Sequence, residues 1–351
     1  MTRLDRRAVL AALASTPGLS LMGSASARAQ AVASPIALQG AGATFPAPLY
    51  AAWIEQFHRV HPGIKVAYDA VGSGEGVRRF TAGAVDFAAS DAAMTDAQIA
   101  AVDRGVRLIP ATAGMVVLAY NLPGLEAQLK LPHNVYPAIL AGEISRWSDP
   151  RIVAANPGLT LPNSTIAIVA RLDSSGTTFA LTNNLSAVSP SWQSRHGAAT
   201  RIDWPSGAML VRGNEGVAGR IKVTEGAIGY VEYGFARRLG LPMAELENRA
   251  GTYVAATPES GIQALAETVA EMPDNLRIFV GDPGGAASYP IVTYSWLILY
   301  DRYQDAEREA AVLAFVRWGL TEGQQQGAEL GYIPLPQSVI DRALATLGGI
   351  G

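Results

Sequence analysis

The sequence predicts an α/β fold organised as two units, and three observations carry that prediction. Between residues 36 and 120, strand-like apolar runs alternate with helix-patterned segments, which argues for parallel sheets flanked by helices. Between residues 135 and 233 the alternation starts again as a second α/β unit. The chain of 351 residues also exceeds the usual size of one hydrophobic core, yet no repeat or low-complexity linker divides it. A chain of this kind is expected to cross between its units more than once.

The first residues read as an export signal. Arg6 and Arg7 precede an apolar stretch running from Ala8 to about Met22, and Ala27-Arg28-Ala29 has the small-x-small spacing of a cleavage site. Pro17 and Gly18 interrupt a stretch already too short to span a bilayer. The paired arginines fit twin-arginine export as well as any basic leader. Cleavage near Ala29 takes four arginines and one aspartate from the chain's 27 basic and 30 acidic residues, leaving a formal charge of −6. A mildly acidic chain without a basic run is a poor match for nucleic acid. With no cysteine there are neither disulfides, thiolate metal sites nor a lipidated cysteine, so a protein freely soluble outside the cytoplasm is expected.

Behind the signal, strands are expected at 36–38, 64–71, 85–89, 107–109 and 115–120, interleaved with helices at 47–60, 76–82 and 96–104. The middle section adds strands at 166–170 and 227–233 and helices near 135–141 and 178–188. A long apolar run, 291–300, is followed by helical patterns at 305–320 and 337–347.

Four strand ends carry small polar residues directly before helix starts. Gly40-Ala41-Gly42-Ala43-Thr44-Phe45-Pro46 offers Thr44 as an N-cap and Pro46 for the first helical turn. Gly72-Ser73-Gly74-Glu75-Gly76 is the second end, and Ser90-Asp91, closing Val85-Asp86-Phe87-Ala88-Ala89, is the third. The fourth is Arg171-Leu172-Asp173-Ser174-Ser175-Gly176-Thr177-Thr178-Phe179. Here Arg171 supplies a planar fork of fixed charge, while Ser175, Gly176 and Thr177 offer hydroxyls and N–H groups at a helix N-terminus, where the dipole favours anions. Each piece has a plainer reading. Thr44, Ser73 and Ser175 could be caps, Asp91 could cap the segment starting near Thr95 or face solvent, and Arg171 with Asp173 could be a surface ion pair. Jointly, one arginine, several hydroxyls and glycine-rich turns at the carboxyl ends of strands describe a convergent anion site.

Asp91 sharpens the choice of anion. An ionised carboxylate only accepts hydrogen bonds, so it repels an anion that carries no proton. Toward monohydrogen or dihydrogen phosphate it can accept the ligand's own P–O–H. Sulfate has no such proton at neutral pH, so one aspartate could set phosphate over sulfate.

The first, third and fourth of these segments, together with Gly226-Ala227-Ile228-Gly229-Tyr230-Val231-Glu232-Tyr233, resemble the periplasmic phosphate-binding proteins of bacterial phosphate ABC transporters. The match runs in order through nearly the whole chain behind the signal. It implies a two-lobed periplasmic binding protein fold of type II, with mixed sheets flanked by helices and the ligand in the interdomain cleft. By the same resemblance, residues 30–120 plus 291–351 would form one lobe and 121–290 the other, with crossovers near Asn121 and Pro290. Phosphate would be bound by Thr44 and Phe45 (backbone N–H, with the threonine hydroxyl), Ser73, Asp91, Arg171, Ser175, Gly176 and Thr177, and Asp173 would hold Arg171 in place. The protein would be a monomer without cofactor, delivering phosphate to a membrane permease driven by a cytoplasmic ATPase. One departure is Glu75, where the family tends to small residues. An acid in the first turn suits the helix dipole, but pointing inward it would repel a dianion, so a solvent-facing Glu75 is expected.

Other signals carry less. Gly72-x-Gly74-x-Gly76 and Gly40-x-Gly42 lack the spacing of a dinucleotide or P-loop motif. His58 and His61 lie three apart on a helical stretch with no third ligand nearby, so a solvated face is expected and no metal. Trp147, Trp192, Trp204, Tyr230 and Tyr233 have no interleaved basic run and read as packing residues. Two other classes stay open: a secreted phosphatase or serine hydrolase using Ser175, and a phosphate-binding surface or adhesion protein of the same fold.

Overall fold

The computed structural model describes residues 35–125 and 127–351, so the expected export signal lies outside the described residues. The strands are β1 (Ile36–Gly42), β2 (Ile64–Ala70), β3 (Phe87–Ser90), β4 (Arg107–Tyr120), β5 (Lys130–Leu131), β6 (Ala167–Arg171), β7 (Met209–Val211), β8 (Ala227–Glu232), β9 (Glu245–Glu247), β10 (Tyr253–Val254) and β11 (Val292–Leu299). Eight of them form one sheet in the order β2-β1-β3-β11-β4-β8-β6-β7, and β10-β9-β5 form a small second sheet.

The parallel pairings that strand–helix alternation predicts are present: β1 with β2 and β3, and β6 with β7 and β8. The large sheet is nevertheless mixed, because β11 runs antiparallel to both β3 and β4, and β4 antiparallel to β8. A parallel neighbour needs a crossover helix to bring the chain back. β11 instead re-enters from late in the chain and slots between two strands already laid down.

The runs expected as two strands at 107–109 and 115–120 are one strand, β4. Its middle, Pro110-Ala111-Thr112-Ala113-Gly114, has one β-branched residue, Thr112, and no alternation, and it is buried throughout. Small residues fit there because large ones close over them: a Cβ on Gly114 would lie 2.8 Å from the Phe45 ring. Residues 107–115 of β4 pair with β11 and residues 116–120 with β8, so the strand changes partner between Met115 and Val116. The β4–β11 register also slips between Ser295 and Trp296, where Pro110, which has no N–H to offer the ladder, faces Trp296.

The helix Ala47–Val60 has the bounds its periodicity predicts and buries Leu49, Trp53 and Phe57, four residues apart, with Tyr50. The helix Ala306–Leu320 closes that face, with Phe315 edge-on to both Trp53 and Phe57. Two helices differ from expectation. The one expected at 76–82 starts at Ser73 (Ser73–Thr81), which brings Ser73 into its first turn. The one expected at 96–104 ends at Ala100 and is capped by Thr95 through a capping box with Gln98, so Asp91 has no capping role there.

Residues 272–277, expected in the same lobe as 121–290, bond to elements on the other side of β4. The Trp296 indole donates to Leu276 O at 2.8 Å, Arg277 to Met94 O at 2.8 Å, and Arg342 to Met272 O at 2.8 Å. The chain then turns back, and Asn183 and Asn184 donate to Val280 O and Gly281 O, each at 2.9 Å.

Candidate anion-binding site

The ends of β1, β3 and β6 and the N-termini of the helices Ser73–Thr81 and Gly176–Val188 bring the residues singled out above together. Thr44, Phe45, Ser73, Asp91, Arg171, Asp173, Ser175, Gly176 and Thr177 are all buried, Thr44 being the most exposed of the polar ones at 9 %. Ser73 Oγ accepts from Gly176 N–H at 3.0 Å and from Asp91 N–H at 3.4 Å, which ties three strand ends at one hydroxyl. Gly176 is required by this proximity, because a Cβ there would lie 2.6 Å from both Ser73 Oγ and Asp91 Cβ. Gly72 is required as well: its φ of +96° is unfavourable for other residues, and a Cβ would meet the Asp173 carboxylate at 2.4 Å.

Arg171 and Asp173 form a buried pair, not a surface one. Arg171 Nε donates to Asp173 Oδ1 at 2.8 Å, and its terminal nitrogen reaches Oδ2. Burial pushes the Asp173 carboxyl up, but the Arg171 hydrogen bonds and charge, joined by Gly213 N–H at 3.2 Å, outweigh it and hold the group below the usual carboxylate range. Arg171 Nη1 also points at Thr177 Oγ1, 3.4 Å away, and the Arg171 backbone N–H donates to the Tyr230 hydroxyl at 3.1 Å. The fork is therefore oriented by one carboxylate while part of it remains available to a ligand.

Asp91 lies opposite. Burial pushes its carboxyl up to about 7, against the lowering effects of the Ser295 hydroxyl, which donates to Oδ1 at 2.8 Å, and of the Arg171 charge. The acceptor-only reading of Asp91 thus holds above about pH 7, whereas below it the side chain gains a proton to donate. The register slip in β11 falls directly after Ser295, the residue that holds Asp91.

The backbone N–H groups of Thr44, Phe45, Ser73 and Thr177 donate to no protein acceptor among the described residues. The remaining predicted donors are arranged differently. Gly176 N–H is given to Ser73, and Ser175 is the N-cap of its helix, accepting from Thr178 N–H at 3.2 Å, with its own O–H left over. Thr44 does not cap the helix Ala47–Val60, whose N-cap is Pro46 without a side-chain bond. Its hydroxyl instead accepts from Asn214, from N–H at 3.1 Å and from Nδ2 at 3.0 Å.

Glu75 stays out of the cluster. Arg78 binds it through two nitrogens at 2.7 Å and Arg79 through Nε at 2.9 Å, and these bonds hold its carboxyl down at about 2. It sits instead in the wall of an adjoining cleft of about 1330 Å³, together with Thr44, Asp173, Arg201, Arg212 and Arg238. His58 is exposed on its helix, and Trp147, Trp192 and Tyr233 are buried packing residues. Among the described residues no three His, Asp or Glu side chains are grouped to hold a metal.

Three contributors were not legible in the sequence. Asn214 follows β7, a three-residue strand with no periodicity to flag it, although Gly213-Asn214 repeats the pattern of a small polar pair at a strand end. Ser295 is concealed in an apolar run, and Tyr230 read as packing although its hydroxyl holds Arg171 N–H and Thr178.

A family model described as the PBP superfamily domain matches residues 24–322. The phosphate-binding protein PstS of Pasteurella multocida is 37 % identical over 309 residues, covering 88 % of this chain and 89 % of that one. PstS of Methanocaldococcus jannaschii is 32 % identical over 329 residues, covering 87 % and 84 %. In fold, a phosphate-binding protein from Stenotrophomonas maltophilia is similar with a TM-score of 0.69, at 21 % identity over 88 % of this chain and 93 % of that one.

Proposed function

The chain belongs to the PBP superfamily and, within it, to the phosphate-binding proteins, and from that premise we propose that it captures inorganic phosphate in the cluster around Arg171 and Asp91 for import by an ABC transporter. It works as a binding protein and not as an enzyme. The observation that carries the assignment to this cluster is its composition: a buried site of N–H, O–H and guanidinium donors containing one carboxylate poised to accept or give a proton near neutral pH. Thr44, Phe45, Ser73, Asp91, Arg171, Ser175, Gly176 and Thr177 contact phosphate in this reading, and Asp173 orients Arg171.

The lobes are 30–120 with 272–277 and 291–351, and the rest of 121–290. The partner change of β4 supports a crossing close to Asn121, and the bonds made by 272–277 support counting that stretch with the first lobe. Binding draws the lobes together because only the closed form contacts the ligand from both sides. The partners are the permease and its cytoplasmic ATPase, the protein is a periplasmic monomer, and residues 1–29 are its export signal.

Titration calorimetry with phosphate, arsenate and sulfate at pH 8 tests the assignment. Phosphate and arsenate are expected to bind and sulfate is not. Equal binding of all three removes Asp91 from its role, and binding of none removes the function.

A further inference from the structure

Resting on that phosphate-binding reading, we propose that Asn214 sets the direction of two hydroxyls in the site and so makes Thr44 and Thr177 donors that accept nothing from the ligand. Asn214 is fully buried in the first turn of the helix Gly213–Val223. Its Oδ1 accepts from Glu232 N–H at 3.0 Å, and because a backbone N–H can only donate, the amide has one orientation. The NH2 group must then face the site, where it donates to Thr44 Oγ1 at 3.0 Å and to Thr177 Oγ1 at 3.1 Å.

A hydroxyl has two lone pairs and one proton. At Thr44 both lone pairs are engaged, one by Asn214 Nδ2 and one by Asn214 N–H at 3.1 Å. At Thr177 they are engaged by Asn214 Nδ2 and by Arg171 Nη1 at 3.4 Å. All of these partners are pure donors, so each hydroxyl can only point its own proton elsewhere, and neither finds a protein acceptor among the described residues. The ligand atoms at these two points must therefore accept, and no proton carried by the ligand can be given to either hydroxyl. Asp91 determines where a ligand proton is accepted, and Asn214 determines where one is refused. The result is a fixed orientation for monohydrogen phosphate, with its P–O–H on the Asp91 side.

Calorimetry on the wild type, Asn214→Ala, Thr44→Val/Thr177→Val, and the triple variant tests this, with thermal melts to verify folding. The wild-type titration with phosphate tests the underlying reading by itself. If it binds, Asn214→Ala is expected to weaken phosphate binding by about 10- to 100-fold, the scale of two misdirected hydrogen bonds. The triple variant is expected to bind as the double valine variant does, within about twofold, since Asn214 acts only through those hydroxyls. A merely structural asparagine would add its full loss in the valine background, and that outcome overturns the proposal, as does Asn214→Ala binding like the wild type. If Asn214→Ala does not fold, the isosteric Asn214→Asp carries the test. Its second oxygen turns both hydroxyls away from the ligand, so a loss exceeding 100-fold is expected, and binding within about twofold of wild type overturns the inference.

Discussion

Asp91 is raised to about 7 and Glu232, which caps the helix Tyr233–Arg238 from full burial, to about 8, burial being the largest cause for each. Both values lie above those of the unfolded chain, so the folded protein binds these protons more tightly and loses stability as pH rises from about 4 to about 8. Melting temperature without phosphate is expected to fall across that range, and Asp91→Asn to flatten the fall and melt higher at pH 8; a rising curve contradicts this. The same proton bears on selectivity. Below pH 7 a protonated Asp91 can donate to an oxygen of sulfate, so sulfate binding is expected to appear toward pH 5.5, and Asp91→Asn to admit sulfate at every pH. Calorimetry across pH decides between this and rejection independent of pH. Removing Arg171 leaves Asp173 and the bound anion without their desolvated partner, and Arg171→Ala is expected to cost on the order of 2–5 kcal/mol of phosphate affinity. Native-like binding by that variant would move the site. Asp91, Arg171 and Thr177 were legible because glycines and hydroxyls punctuate strand ends in the sequence. The direction of the Thr44 hydroxyl was not, because local pattern makes it a cap, while its partner Asn214 lies 170 residues away.

Among the elements, the helices whose apolar faces follow the 3.6-residue period were read to their bounds, as in Ala47–Val60 and Gln337–Leu347. β4 was not, because its middle is buried on both faces, where small residues satisfy packing without any period to announce them. The start of the helix Ser73–Thr81 was also missed, since a serine–glycine pair looks like a turn until Gly74 N–H is seen donating to Ser174 O at 3.1 Å. These helix N-termini meet at Gly176, and under the proposed lobe closure the meeting is tight only when the two sides of the site are together. Gly176→Ala is therefore expected to leave the phosphate-free melting temperature within a few degrees of wild type while reducing phosphate affinity by at least tenfold, since the added methyl lands 2.6 Å from Ser73 Oγ and Asp91 Cβ. Melts paired with calorimetry check both halves, and unchanged affinity contradicts the tight contact.

Over the whole molecule the charge is negative, yet the cleft beside the site is lined by Arg201, Arg212 and Arg238, none of which has a carboxylate within ion-pair distance among the described residues. Arg78 and Arg79, by contrast, are partnered by Glu75. Such a rim concentrates anions at the entrance, so the association rate for phosphate is expected to fall several-fold between about 20 mM and 500 mM salt, with dissociation little changed. Stopped-flow mixing measures both rates, and Arg212→Glu should slow association at low salt. An unaltered on-rate in that variant excludes steering by this rim. The place of β11 has one more consequence, for how the molecule comes into being. β11 lies between β3 and β4, strands that leave the ribosome about two hundred residues earlier, whereas β6, β7 and β8 have their partners once residue 232 has been made. Synthesis thus produces two strands whose shared neighbour arrives almost last, and their unmated edges must wait through most of translation before the sheet can close.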